Sequence, residues 1–370
     1  MKLYIKPESY NQSRDLFIQS LESIREIWPQ AAHSSFLISE ADNLTIDWIS
    51  SKPIEKYDKL FFFTTGIHGI EGFFGSIMLQ LFHDEFMNKF DPNTTGLVII
   101  HCINPYGMSR RYRTNQNNVD LNRNFIMNFP AMLSSNDDYL TLNPLLNPNI
   151  PVQSSTKTIS RFIFDTIRLL LKMGAGRIRE AALKGQYSIQ NGISFGGTEL
   201  QSETQCIMKL VDEWLPQFEK SLHIDIHTGY GPRYEMTLVQ SSSETMSSDQ
   251  ARKKFNLQRI ASTNPEEFYT IQGEMADYFY QKGFQTNRSI YSAAFEFGTY
   301  GVGIINEVRS LLTTIAANQL LIHGSSVNNS KWVVDAYSEL YFPSEANWLS
   351  RALANGRKAF QSILSTEGYI

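Results

Sequence analysis

Leu60-Phe61-Phe62-Phe63-Thr64-Thr65-Gly66-Ile67-His68-Gly69-Ile70-Glu71-Gly72 reads as a buried strand that runs into a turn and then a helix. The run at 60–65 is apolar, aromatic and of strand length. A strand stopping at Gly66, with a helix past Gly72, leaves His68 and Glu71 at the strand's carboxyl end, where open α/β sheets place their sites. Catalytic zinc is commonly held by three side chains of the His and Asp/Glu kind, with a fourth position left for water. His-x-x-Glu alone is a weak signal, because such pairs also arise on ordinary surfaces.

A second strand-like run, Ser221-Leu222-His223-Ile224-Asp225-Ile226-His227, leads into Thr228-Gly229. Alternation puts His223, Asp225 and His227 on one face and Leu222, Ile224 and Ile226 on the other. Burial of polar groups without compensation is costly, so the polar side is either the wet face of an edge strand or a functional face. On the functional reading His227 is a third ligand beside His68 and Glu71, with Asp225 a nearby orienting group. Glu296 sits in a further strand-like run over 290–297 that ends at Gly298-Thr299. Flanked by Phe295 and Phe297, it either faces water or occupies a dry site, where desolvation would raise its pKa and suit it to general acid/base work.

Between these segments lie Asn104-Pro105-Tyr106-Gly107 and Asp120-Leu121-Asn122-Arg123-Asn124-Phe125. Arg110, Arg111, Arg113 and Arg123 are interleaved there with Asn115, Asn117, Asn118, Asn122 and Asn124. A nucleic-acid surface is not expected: 33 Lys and Arg stand against 37 Asp and Glu, the formal charge is −4, and no wider basic patch can be read. Anion recognition explains the cluster better, since the planar guanidinium matches a carboxylate and amides add directional donors.

Taken together, His68-x-x-Glu71, Asn104-Pro105-x-Gly107, Asp120-x-Asn122-Arg123-Asn124-Phe125, the His227 strand and Glu296 resemble the zinc carboxypeptidase superfamily, which includes carboxypeptidase A, the cytosolic carboxypeptidases and aspartoacylase-like deacylases. Asp225-Ile226-His227-Thr228-Gly229 is closer to the deacylase and uncharacterised bacterial branches than to the digestive enzymes. Gly185-Gln186-Tyr187, Phe195-Gly196-Gly197, Tyr341-Phe342-Pro343 and Trp348 extend the likeness toward the C-terminus. The resemblance implies an α/β fold with a mixed, mostly parallel central sheet and helices on both faces. It implies one Zn2+ per chain on His68, Glu71 and His227, with Asp120 orienting His68; the alternative for Asp120 is a turn cap ahead of Leu121. It further implies Glu296 as the catalytic carboxylate and Asn122 with Arg123 as the clamp on a substrate carboxylate. Arg113 would polarise the scissile carbonyl, a task Arg111 could hold instead. The expected substrate is a peptide or N-acyl amino acid with a free carboxylate, and the expected activity that of a metallocarboxypeptidase. An N-acyl amino acid deacylase, a cell-wall peptide amidase and a zinc-binding protein without turnover are the alternatives.

With 370 residues, 42% hydrophobic and 12% aromatic, the chain can bury the core of one large catalytic domain over 1–370. Periodicity predicts a helix over 12–28, strands over 35–39 and 44–49, a helix running through Leu81 and a strand over 97–102. Further helices are predicted over 202–215, 306–322 and 346–364, and the alternation is that of an α/β sheet. The stretch 129–197 departs from it. It holds Pro130, Pro144, Pro148 and Pro151, then an amphipathic basic helix over 158–184 broken at Gly174 and Gly176, and reads as an insertion over or beside the site. No apolar run reaches the roughly 18 residues of a membrane span. Residues 1–7 lack a signal-peptide core, and Cys102 and Cys206 cannot build a disulfide framework, so a cytoplasmic location and no membrane partner are expected. Oligomeric state, a second metal assisted by Asp225 or His223, and a proton-donating tyrosine among Tyr269, Tyr278, Tyr280 and Tyr291 stay open.

Overall fold

The computed structural model describes residues 4–130, 133, 135–325 and 327–370, so Met1, Lys2 and Leu3 of the N-terminal stretch read above lie outside it. The chain enters through α1 (Tyr10–Gln19) and α2 (Leu21–Ile27), where periodicity predicts one helix. The break falls at Ser20, whose hydroxyl donates to the Phe17 carbonyl at 2.7 Å and so competes with the helical ladder. β1 (Ala32–Ser39), β2 (Leu44–Ser51), β3 (Lys59–Thr65), α3 (Gly72–Glu85), β4 (Thr95–Ile100) and α4 (Pro105–Arg110) follow. The middle of the chain is helical: α5 (Asp137–Leu146), α6 (Ser155–Met173), α7 (Ala175–Leu183) and α8 (Ser202–Trp214). The sheet resumes with β5 (Lys220–Thr228), β6 (Met236–Gln240), α9 (Ser248–Phe255), β7 (Ile260–Ser262), α10 (Met275–Thr286) and β8 (Ser289–Phe297). α11 (Ile304–His323), α12 (Val327–Tyr341) and α13 (Ala346–Thr366) complete the described chain.

The strands form one sheet in the order β1-β2-β4-β3-β5-β8-β6-β7. Its four central strands, β4, β3, β5 and β8, are mutually parallel, and the antiparallel pairs lie toward the edges. Parallel strands are covered on both faces, which explains the unbroken apolar run over 60–63 in β3. Phe61 and Phe63 belong to the core beneath α1, α3 and α13, whereas Leu60 and Phe62 belong to the core beneath α8 and α10. The short β6 and β7 carry no sequence pattern long enough to announce them; they are held by pairing to β8 and to each other.

The basic helix over 158–184 divides once. Gly174 takes φ +77°, open to glycine without strain, and separates α6 from α7, while Gly176 continues inside α7. α5, α6 and α7 share a satellite core with α11, built on Tyr139, Leu142, Phe162, Ile178 and Ile315. No helix among the described residues is long and apolar enough to cross a membrane.

Candidate metal centre

Register sets the site. β3 and β5 pair in parallel with Thr65 opposite Ile226, and β5 and β8 pair with His227 opposite Glu296, so two adjacent parallel strands present those two side chains side by side at their carboxyl ends. His68 and Glu71 follow β3 through a tight turn. That turn is held by the segment that follows α4: Ile70 N–H donates to Tyr112 O at 2.9 Å and Gly69 N–H to Arg113 O at 3.3 Å, while Asn104 Nδ2 at the start of α4 also donates to Arg113 O at 3.1 Å. A Cβ on Gly69 would lie 2.2 Å from the backbone of Gly107, so the turn rests directly on the backbone of α4; a Cβ on Gly107 would lie 2.6 Å from Asn104 Nδ2 and 2.8 Å from Tyr112 O. Asn104 also caps α4, accepting from Gly107 N–H at 2.8 Å.

His68, Glu71 and His227 are buried, and one potential ligand atom from each lies within 4.8 Å of the others. His68 Nδ1 is 2.9 Å from Glu71 Oε1 and 3.2 Å from His227 Nδ1, which in turn is 3.3 Å from Glu71 Oε2. The opposite ring nitrogens are engaged elsewhere: His68 Nε2 is 3.1 Å from Asp120 Oδ1, and His227 Nε2 is 2.7 Å from Asp225 Oδ2. Around a cation, each imidazole would keep an N–H on Nε2, donated to Asp120 or Asp225, and turn the Nδ1 lone pair inward beside Glu71. Two lone pairs and a carboxylate then converge on one buried point, an arrangement stable only around positive charge. Protein groups respond accordingly. Burial would lower the His227 pKa, but Asp225 and Glu71 push it well above the usual value, holding a proton there when nothing else supplies the charge. Burial would raise Glu71, yet His68 and His227 outweigh it and hold the carboxyl at about 2. The donor set of two imidazoles and one carboxylate, each with its second nitrogen or oxygen fixed, therefore fits a divalent cation. The second Glu71 oxygen accepts from Thr228 N–H at 3.0 Å.

Asp120 does both things the sequence allows. Its Oδ1 caps the following turn at Asn122 N–H (3.1 Å) while meeting His68, and its Oδ2 accepts from Arg113 Nε at 3.0 Å. Burial would raise its pKa, but Arg113, Arg123 and His68 hold it well below the carboxylate range. Replacing Asp120 with asparagine is expected to weaken metal affinity by about 10–100-fold, measured by competition with a chromophoric chelator; unchanged affinity would mean that His68 is oriented by something else.

Arg113 lines the cavity with its Nη1 3.6 Å from Glu71 Oε1, and its N–H donates to the Tyr337 hydroxyl at 3.2 Å. Arg111 is not brought to the site. It takes φ +58° at the end of α4, donates to Glu8 O at 3.1 Å and lies over the Phe73 ring, so the left-handed turn that frees Arg113 for the cavity directs Arg111 outward. Arg110 likewise pairs with Asp42. Arg123 is buried in the cavity wall with its Nε and Nη2 on Leu183 O and its Nη1 on Asn122 O, and no carboxylate lies within ion-pairing distance of it among the described residues. Asn122 accepts from Met275 N–H at 2.9 Å and lines the cavity beside it. The other asparagines pin loops instead of facing a ligand: Asn115 reaches Gln201 and Glu203, Asn118 the carbonyls of Gln190 and Gly192, and Asn124 those of Gly196 and Glu199.

Glu296 accepts from Tyr230 N–H at 3.0 Å, and burial raises its pKa to about 7, with Glu71 adding and His227 opposing. His223 is a core residue. It stacks on Phe279 at 3.9 Å, contacts Thr64 and Ser292, and burial lowers its pKa to about 4. With His223 so engaged and Asp225 between Thr64 and His227, the described residues hold one His/Asp/Glu group able to bind a metal. Of the four tyrosines left open, Tyr269 lines the cavity, whereas Tyr278, Tyr280 and Tyr291 bond Asp212, Glu244 and Gln240. Sequence reasoning missed Tyr230, Tyr341, Arg179 and Glu274 in the same wall. Glu274 is raised to about 7 by burial, with Asp277 adding; in sequence it looks like any acid ahead of a helix.

Among solved structures, the chain is similar to carboxypeptidase A from Helicoverpa armigera (14% identity, 91% of this chain and 75% of that one, TM-score 0.45). It is similar to a metallo-carboxypeptidase from Burkholderia cenocepacia (12%, 83% and 68%, 0.35) and to an aspartoacylase family protein from Mesorhizobium loti (13%, 79% and 66%, 0.36). No curated protein matches it in sequence. The profile of the family described as a protein of unknown function, DUF2817, matches residues 7–355, and the chain belongs to that family.

Proposed function

We propose that this protein is a zinc-dependent hydrolase that cleaves the amide bond joining an acyl group to an amino acid with a free carboxylate, the reaction of a metallocarboxypeptidase or an N-acyl amino acid deacylase. One observation carries it: the three converging acceptors, a buried carboxylate raised toward neutrality and a buried guanidinium with no carboxylate in ion-pairing distance among the described residues share a single cavity. Zinc on His68 Nδ1, Glu71 and His227 Nδ1 would supply Lewis acidity toward the scissile carbonyl and ease ionisation of the attacking water. Glu296 takes the water's proton as its oxygen adds to the carbonyl carbon, and delivers it to the leaving nitrogen as the C–N bond breaks. Arg113, steadied by Asp120, offers its remaining N–H groups to the carbonyl oxygen as negative charge develops there.

Arg123 holds the substrate carboxylate. Its three bonds to carbonyls fix the guanidinium in place and leave an N–H on each terminal nitrogen, a bidentate donor awaiting an anion. The Asn122 amide, anchored through its oxygen, adds an NH2 donor. The test compares N-acyl amino acids with the same compounds capped as carboxamides, in the zinc-loaded parent and in Arg123→Lys. Capping is expected to reduce kcat/KM by about two to three orders of magnitude in the parent, and by much less in the variant. Equal turnover of capped and free substrates would overturn the carboxylate requirement.

A further inference from the structure

The cavity of about 260 Å³ that contains the metal-binding side chains also has walls of a different character. They come from helices outside the sheet: Leu170 of α6, Ile178 and Ala182 of α7, and Val308, Leu311 and Leu321 of α11. Leu170, Ile178, Val308 and Leu311 are held by the satellite core they share with α5, so this arm is a packed surface and not a loose flap. Several of its polar side chains are already occupied. The Ser310 and Thr314 hydroxyls donate back to Asn306 O at 2.9 Å and Ser310 O at 3.0 Å, and Asn318 Nδ2 donates to Asn191 O at 2.8 Å. Arg179 is bonded to the Tyr230 hydroxyl, and the backbone N–H of the same tyrosine donates to Glu296. Val302 and Ile304 line the same cavity yet are 55% and 74% exposed, so apolar wall continues to the outer surface.

Such an arm discriminates between the two kinds of acyl group. An extended peptide brings a backbone N–H and C=O with every residue, and walls whose polar groups are mostly engaged would strand them. Among the described residues, three buried side-chain atoms on the cavity wall lack partners, Thr166 Oγ1, Arg179 Nε and Thr228 Oγ1, too few for a peptide's repeating donors and acceptors. A hydrocarbon chain has no such groups and gains from every methylene buried. We infer that the arm between α6, α7 and α11 receives an alkyl chain, and that the substrate is an amino acid acylated on nitrogen by a medium- or long-chain fatty acid. This rests on the amide hydrolysis proposed above. Water adds its oxygen to the acyl carbon, the C–N bond breaks, the nitrogen keeps the bonding pair and gains a proton, and the products are a fatty carboxylate and a free amino acid.

The experiment uses the full chain loaded with zinc and the N-acetyl, N-hexanoyl, N-decanoyl and N-dodecanoyl derivatives of phenylalanine, glutamate and lysine. N-blocked tripeptides ending in the same residues are run beside them. On at least one head group kcat/KM is expected to rise by about fourfold per added methylene until the arm is full, and the fatty derivatives to exceed the tripeptides. Leu311→Asp is expected to depress the decanoyl derivative at least tenfold more than the acetyl one. Val308→Trp, which fills the arm, is expected to move the optimum to a shorter chain, a change that misfolding would not produce. Hydrolysis of acetyl derivatives with no dependence on chain length, or tripeptides preferred to every fatty derivative, would overturn the inference and leave the amide-hydrolase reading standing. Absence of hydrolysis of every amide by the zinc-bound protein would overturn that reading, and this one with it.

Discussion

Glu296→Gln is expected to bind zinc as the parent does and to hydrolyse amide substrates about 10²–10⁴-fold more slowly. The substitution keeps the size of the side chain and its bond from Tyr230 N–H, but removes the group able to take a proton from water. The carboxylate is the active form, so activity in the parent should fall as pH drops through the Glu296 pKa. Burial lifts that pKa to about 7 in the metal-free protein, and a bound dication favours the ionised form, so loading with zinc is expected to shift it to lower pH. Metal content by elemental analysis, steady-state rates and the acid limb of kcat/KM check these points together. Near-parental turnover in Glu296→Gln would remove Glu296 from the chemistry whatever its surroundings.

His227→Ala is expected to lose the metal and, with it, all zinc-dependent stabilisation. In the parent, zinc at 100 times its dissociation constant should stabilise the fold by about 2.7 kcal/mol, read as a rise in Tm on adding zinc to the chelated protein. The variant should show almost none of that rise, because two of the three converging acceptors cannot close around a cation. It should also be less stable than the metal-free parent, since Asp225 and Glu71 lose the imidazole that balances them in a buried site. Equal zinc-induced shifts in parent and variant would place the metal elsewhere.

Much of the architecture is legible along the chain because burial on both faces of a parallel strand leaves a continuous apolar run. β3 and its turn into α3 are read directly, as is the alternation of β5, whose polar face proves to be buried at His223, Asp225 and His227. Elements whose stability comes from neighbours are not legible in this way. β6 and β7 exist through pairing, and the long helix predicted at the N-terminus is interrupted by one serine hydroxyl that competes for a carbonyl. The arginine and asparagine cluster shows the same division. Its composition points to anion recognition, but composition cannot say which guanidinium turns inward. The left-handed turn at Arg111 separates it from Arg113, and Arg123 is fixed by the carbonyls of Leu183 and Asn122.

The sequence by itself determined the kind of fold, because hydrophobic period is a local property written along the chain, and its motifs pointed to the residues able to hold a metal through the resemblance they carry. Only the tertiary structure decided the state of those residues. Which ring nitrogen of His68 and His227 carries the proton depends on Asp120, 52 positions from His68, and on Asp225 across the ring of His227. The apolar arm beside the site depends on helices that meet across more than a hundred residues of chain, α6 and α7 with α11. Convergence of groups distant in sequence is a matter of packing, and packing is settled by shape and burial summed over the whole molecule, which no segment carries alone.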